Sequence, residues 1–239
     1  MDRLSQVAVQ RVKQEIQKSS QHILEYTENN PSTIIIQRTY ETEIQCILKK
    51  VIFLKRLNFS VNFDELFSQI ISDLLSIAKY LVSDDLRGYA LTQRSILENL
   101  IRVIMGRVAS TDHVTLNLLN EFQEATRPAL TDDDWSLIMD IYNTSSTIVH
   151  FHNNCDTLNS YVMDCFPLSI KDANYVKHIS DSAVKKWRNL FSILEKLLCT
   201  KYPEEIFGSF SRQRVLLKYL VFDTSFGVLQ QTKDPSSSK

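Results

Sequence analysis

An all-α fold, a multi-helix up-and-down bundle around one long central helix, is what three features of the sequence predict. Apolar residues recur every three or four positions along most of the chain. Only four glycines and five prolines interrupt its 239 residues, which leaves few positions for hairpin turns. One stretch, 171–199, holds the helical period for more than six turns through Val176, Ile179, Ala183, Val184, Trp187, Leu190, Phe191, Leu194, Leu197 and Leu198. The expectation is a single domain over 1–230 built from seven to nine helices, followed by a disordered tail at 231–239, TKDPSSSK being its polar core.

Each element has its own signal. A first amphipathic stretch, 2–27, carries Leu4, Val7, Val12, Ile16, Ile23 and Leu24. ENNPST stops it, since the residue before Pro31 is pushed out of the α region. A second helix over 33–57 holds Ile44, Ile47, Leu48, Val51, Ile52 and Leu54, and NFSVNFDE interrupts it. Asn62, with Glu65 three residues on, suits the N-cap of a third helix at 63–82, which is apolar enough to be central. SDD at 83–85 caps a fourth, and its negative charge favours the positive end of that helix. A shorter fifth spans 112–126. TRPAL links it to a sixth, which starts at Thr131 with three aspartates and runs to His150 or beyond. The segment NNCDTLNSYVMDCFPLS reads as a loop before the long helix. After that helix the tail offers one or two helical turns and a last amphipathic segment.

Composition also excludes function classes. Gly88, Gly106, Gly208 and Gly227 are isolated from one another, so neither a dinucleotide-binding fingerprint nor a P-loop is present. A net charge of −1, from 27 basic and 28 acidic side chains, makes the whole chain no magnet for nucleic acid or anionic lipid. No run approaches the length of a membrane span and the N-terminus lacks a signal-peptide core, so a cytoplasmic location is expected and no membrane partner. Cys46, Cys155, Cys165 and Cys199 form no CxxC and are expected to stay reduced, as small buried hydrophobes. Basic residues gather at 49–56, 185–188 and 211–218. Such runs usually form the solvated side of a helix, but two of them on one face could track phosphates.

The polar residues worth weighing lie on two helices. At about 100° per residue, Arg94 falls inside the apolar arc of the fourth helix, between Ile101 and Met105. Glu98 follows one turn later, so an intrahelical pair is available, in the weaker order of the two charges. Such an arginine either pins helices in register or faces a cleft and grips an anion. On the sixth helix Ile138, Ile141, Tyr142, Ser145, Ile148, Val149 and His152 share one face, while Ser146 and His150 share another. Either His152 is a core histidine bonded to a group such as Ser145 and His150 is exposed, or the helix ends at His150. Two histidines two positions apart diverge by roughly 160° on a helix, which argues against a zinc site at HFHNNC with Cys165; no metal or other cofactor is expected.

QRSILENLIRVI, followed about fifty residues later by IYNTSSTIVH, resembles a divergent group of HEPN-type helical bundles over residues 90–153. Members of that superfamily are up-and-down bundles, often dimeric, and many are metal-independent ribonucleases of toxin or antiphage defence systems. The arginine that the best-known branch places shortly before its histidine is missing before His150, and RVASTDH, which meets the spacing, reads as an interhelical turn. The resemblance therefore implies catalysis by Arg94, Glu98 and His150, the first two approaching from a neighbouring helix, with Tyr142, Ser146 and His152 holding RNA. Histidine would exchange protons with the 2′-hydroxyl or the leaving oxygen, and arginine would stabilise charge on the phosphate. The competing class is a non-catalytic scaffold or adaptor that binds a protein partner or a second copy of itself, with Arg94 and Glu98 as a register pin. A third is a sensor whose arginine holds an anionic ligand in an apolar pocket.

Overall fold

The computed structural model describes residues 3–28, 40–61, 63–83, 85–108, 116–150 and 173–233, and every regular element among them is an α-helix. These are α1 (Arg3–Glu28), α2 (Glu41–Arg56), α3 (Asp64–Ser83), α4 (Leu86–Ile104) and α5 (Leu116–Thr126). The second half holds α6 (Asp132–His150), α7 (Ala173–Lys201), α8 (Pro203–Ser209), α9 (Arg214–Leu220) and α10 (Asp223–Lys233). The expected cap Asn62, the expected helical residues 33–39 and 112–115, and the expected loop before α7 lie outside the described residues.

Among the described residues ten helices exceed the seven to nine expected, and the excess lies after α7. Tyr202 precedes Pro203 and leaves the helical region, at φ −127° and ψ 49°, so α8 starts as a separate element. Val221, extended at ψ 165°, separates α9 from α10. Apolar periodicity alone does not register such short breaks.

Helix ends follow local chemistry. Asp85 caps α4 by accepting from the Gly88 N–H at 2.8 Å. Thr131 and Asp134 form a reciprocal box at the start of α6: the Thr131 hydroxyl accepts from the Asp134 N–H at 3.1 Å, and the Asp134 carboxylate accepts from the Thr131 N–H at 3.0 Å. Gly106 closes α4 with φ +71°, a conformation glycine takes without strain. Around it the Arg107 N–H reaches the Arg102 carbonyl at 2.8 Å and the Gly106 N–H reaches that of Val103 at 3.0 Å, the paired bonds of a Schellman stop.

α3 and α4 form an antiparallel hairpin with the most extensive contact in the fold. It closes tightly because Gly88 lets the Tyr80 ring approach: a Cβ there would lie 2.5 Å from a ring carbon. The long helix α7 packs against α4, α6, α8 and α10, the place expected of a central element. Its buried side presents Trp187, Leu190, Phe191, Leu194, Leu197 and Leu198 to one continuous apolar cluster. Phe59, Phe63, Phe67 and Tyr202 close one end of that cluster through edge and stacked ring contacts. The Tyr202 hydroxyl donates to the Val103 carbonyl at 2.8 Å, which ties the end of α7 to the last turn of α4.

Candidate functional site

α4 packs beside α6, and that contact brings together three of the residues singled out in the sequence. Arg94 Nε lies 2.8 Å from Glu98 Oε1, with the side chains only 21% and 17% exposed. The same guanidinium sits over the Tyr142 ring, 4.8 Å from its centroid, and Nη2 donates to the Tyr142 hydroxyl at 3.4 Å. Tyr142 itself is buried. Its rigid ring gives the arginine a surface to lie on, and Glu98 offsets its charge.

The rest of the expected site is not gathered there. α6 remains helical through His150, which is eight residues beyond Tyr142 and so about 12 Å further along the axis. The side chains of Ser146 and His150, and all of His152, lie outside the described residues. Ser145 is buried on the Tyr142 face as its spacing predicts, and its hydroxyl donates to the Ile141 carbonyl of its own helix. Cys155 and Cys165 also lie outside the described residues. Among the described residues no group of three His, Cys, Asp or Glu side chains could hold a metal ion, and no helix is long and apolar enough to cross a membrane.

Two polar features escaped the sequence reading. Along the α3–α4 seam, Arg102 Nη1 donates to Asn99 Oδ1 at 2.7 Å, and both side chains are buried. Asn99 donates in turn to Ser95 at 3.5 Å. Asp73 of α3 faces this row with one carboxylate oxygen buried and without a hydrogen-bond partner. Burial pushes its carboxyl above the ordinary value, while a hydrogen bond from Ser95 opposes the rise. A carboxyl whose pKa is higher folded than unfolded loses stability as pH climbs from the unfolded value through the folded one. Asp73→Asn should therefore melt higher than the parent at neutral pH and equal to it at acid pH. A variant that melts lower at both would mean that the charge is compensated.

The second feature is a buried ion pair. Lys50 Nζ meets Glu195 Oε2 at 2.7 Å, with the side chains 2% and 0% exposed. Lys50 also donates to the Leu220 carbonyl at 3.0 Å and lies 3.5 Å from the centroid of the Phe222 ring. Glu195 Oε1 accepts from the Phe222 N–H at 2.7 Å. One ion pair thus joins α2, α7 and the link between α9 and α10. Cys46 and Cys199, one turn away on α2 and α7, are buried free thiols whose pKa values burial raises, which leaves them little thiolate at neutral pH.

A groove of about 660 Å³ opens beside α1, lined by Val7, Val9 and Val215 with Gln6, Gln10 and Gln14. Comparison of the chain with protein-family models, with curated proteins and with solved structures finds no match.

Proposed function

We propose that this chain is a non-catalytic helical scaffold or adaptor that works by binding a protein partner, and that Arg94, Glu98 and Tyr142 hold α4 against α6. The observation that carries this reading is the engagement of Arg94, ion-paired at 2.8 Å and lying over the Tyr142 ring in a largely buried position. A guanidinium so placed fixes the register of two helices and would have to leave both partners to clamp a phosphate. The open groove beside α1 adds valine surface, a stripe of amide groups and the Arg11 cation, the mixture that receives a polypeptide segment.

A second reading keeps the HEPN-like ribonuclease of a defence or toxin system. Its support is that Arg94 packs on the helix that carries His150, as an active site assembled from two helices requires. One pair of variants separates the two. Under the scaffold reading Arg94→Ala destabilises by about 1–3 kcal/mol, because Glu98 loses its partner in a half-buried place, and His150→Ala leaves function intact. Under the ribonuclease reading both variants fold normally and both abolish RNA cleavage or growth arrest on expression. Chemical denaturation and an RNA-cleavage assay on the same preparations decide between them.

A further inference from the structure

Two of the basic runs, 49–56 and 185–188, meet in the fold through α2 and α7, and α9 adds a ring rather than a charge. Arg56 donates to Gln213 at 2.7 Å, which ties the run at 49–56 to the start of α9. Two turns earlier on α2, Lys49 Nζ stands 4.3 Å from the centroid of the Tyr219 ring near the other end of α9. Lys13 of α1 points its ammonium at the same ring, 5.4 Å from the centroid. Arg188, from the run at 185–188, acts electrostatically on both Lys49 and Cys46. α1, α2 and α7 therefore supply the cations of one place, and α9 supplies the ring that faces two of them.

Its charge is not balanced. Lys50 is neutralised by Glu195, and Arg188 has Glu43 at 4.0 Å. Among the described residues no carboxylate lies within ion-pairing distance of Lys13 or Lys49. Two lysines without carboxylate partners would ordinarily swing apart into water, since like charges repel and their stems are flexible. Here the Tyr219 ring attracts both, and Lys13 is among the charges that act on Lys49. Burial, and then the like charges of Lys50, Lys13 and Arg188, push the Lys49 ammonium below its ordinary pKa, with only Cys46 acting the other way. A compact anion of charge −2 or more is the ligand that would relieve this field and accept from both ammonium groups.

We propose that Lys13 and Lys49, seated on Tyr219 beside Arg188, bind the phosphate group of a small phosphorylated ligand. A nucleic-acid strand fits less well, because the ring on which a base would stack is already occupied by ammonium groups. The proposal is independent of the role assigned to Arg94.

Calorimetric titration of the whole chain with inorganic pyrophosphate at low ionic strength tests it. The parent should bind, and Lys49→Gln and Lys13→Gln should each weaken binding by about tenfold or more, the worth of one charged hydrogen bond. Lys49→Arg should retain most of the affinity, and Lys201→Gln, an exposed lysine at the end of α7, should change nothing. Unaltered melting of each variant shows that the fold is intact. No binding by the parent at millimolar pyrophosphate, or equal binding by Lys49→Gln, would overturn the proposal. So would binding to an oligouridylate or to phosphatidylglycerol vesicles that depends on Lys49 when pyrophosphate does not bind, because that assigns the cations to a macromolecular or membrane surface.

Discussion

Replacing Lys50 with methionine should destabilise the fold by about 3–5 kcal/mol, because Glu195 is left as an uncompensated carboxylate in a place that water does not reach. At 2% and 0% exposure, neither partner can turn to solvent without opening the core. Glu195→Gln should cost a similar amount by stranding the ammonium. The double variant Lys50→Met, Glu195→Leu should recover a large part of the loss, since a packed apolar pair needs no desolvation of charge. Urea denaturation of the parent, the two single variants and the double variant completes a cycle whose coupling term isolates the pair. A loss below about 1 kcal/mol in Lys50→Met would show that the pair is hydrated and that the three segments it joins can separate.

Trp187→Ala should cost about 3–5 kcal/mol. The indole is 3% exposed and stacks on Phe191 with ring centroids 5.5 Å apart, so truncation empties a large volume in the middle of α7. Its neighbours are rings and branched side chains on packed helices, and such surroundings relax only partly into a cavity. Denaturant unfolding measures the loss. A value below about 1 kcal/mol would place α7 at the periphery and contradict the packing of α4 and α6 against it.

Helix identity was legible because it is written locally. Thr131 with Asp134, Asp85 before α4 and the apolar period of α7 are each complete within a few residues, and each sits where its signal places it. The Arg94–Glu98 pair was legible for the same reason, at one turn of separation. Its third member, Tyr142, needed the α4–α6 contact, 48 residues away. Lys50 shows where local reading fails. It shares an arc with Ile47 and Leu54, but it stands beside Lys49 in a run that reads as solvated, and its partner is 145 residues distant. Glu195 likewise lies between Phe191 and Leu198 on the apolar side of α7. Periodicity marks both as anomalous, and only tertiary packing shows that each anomaly answers the other. The tail divided from α7 and into three helices because Tyr202, the turn at 210–213 and Val221 leave the helical region.

The distance in sequence between Lys50 and Glu195 also governs how the chain meets its own synthesis. At translation rates of about 5–20 residues per second, the ribosome needs roughly 7–30 s to travel from one to the other. During that interval α3 to α6 are synthesised without the strut that joins α2 to α7, and the Leu220 and Phe222 groups that complete it are made later still. The nascent chain must therefore carry Lys50 as a hydrated surface charge and bury it only as the last helices arrive. Completion of the core therefore waits for the C-terminal helices, and the ammonium group stays in water until its carboxylate has been made.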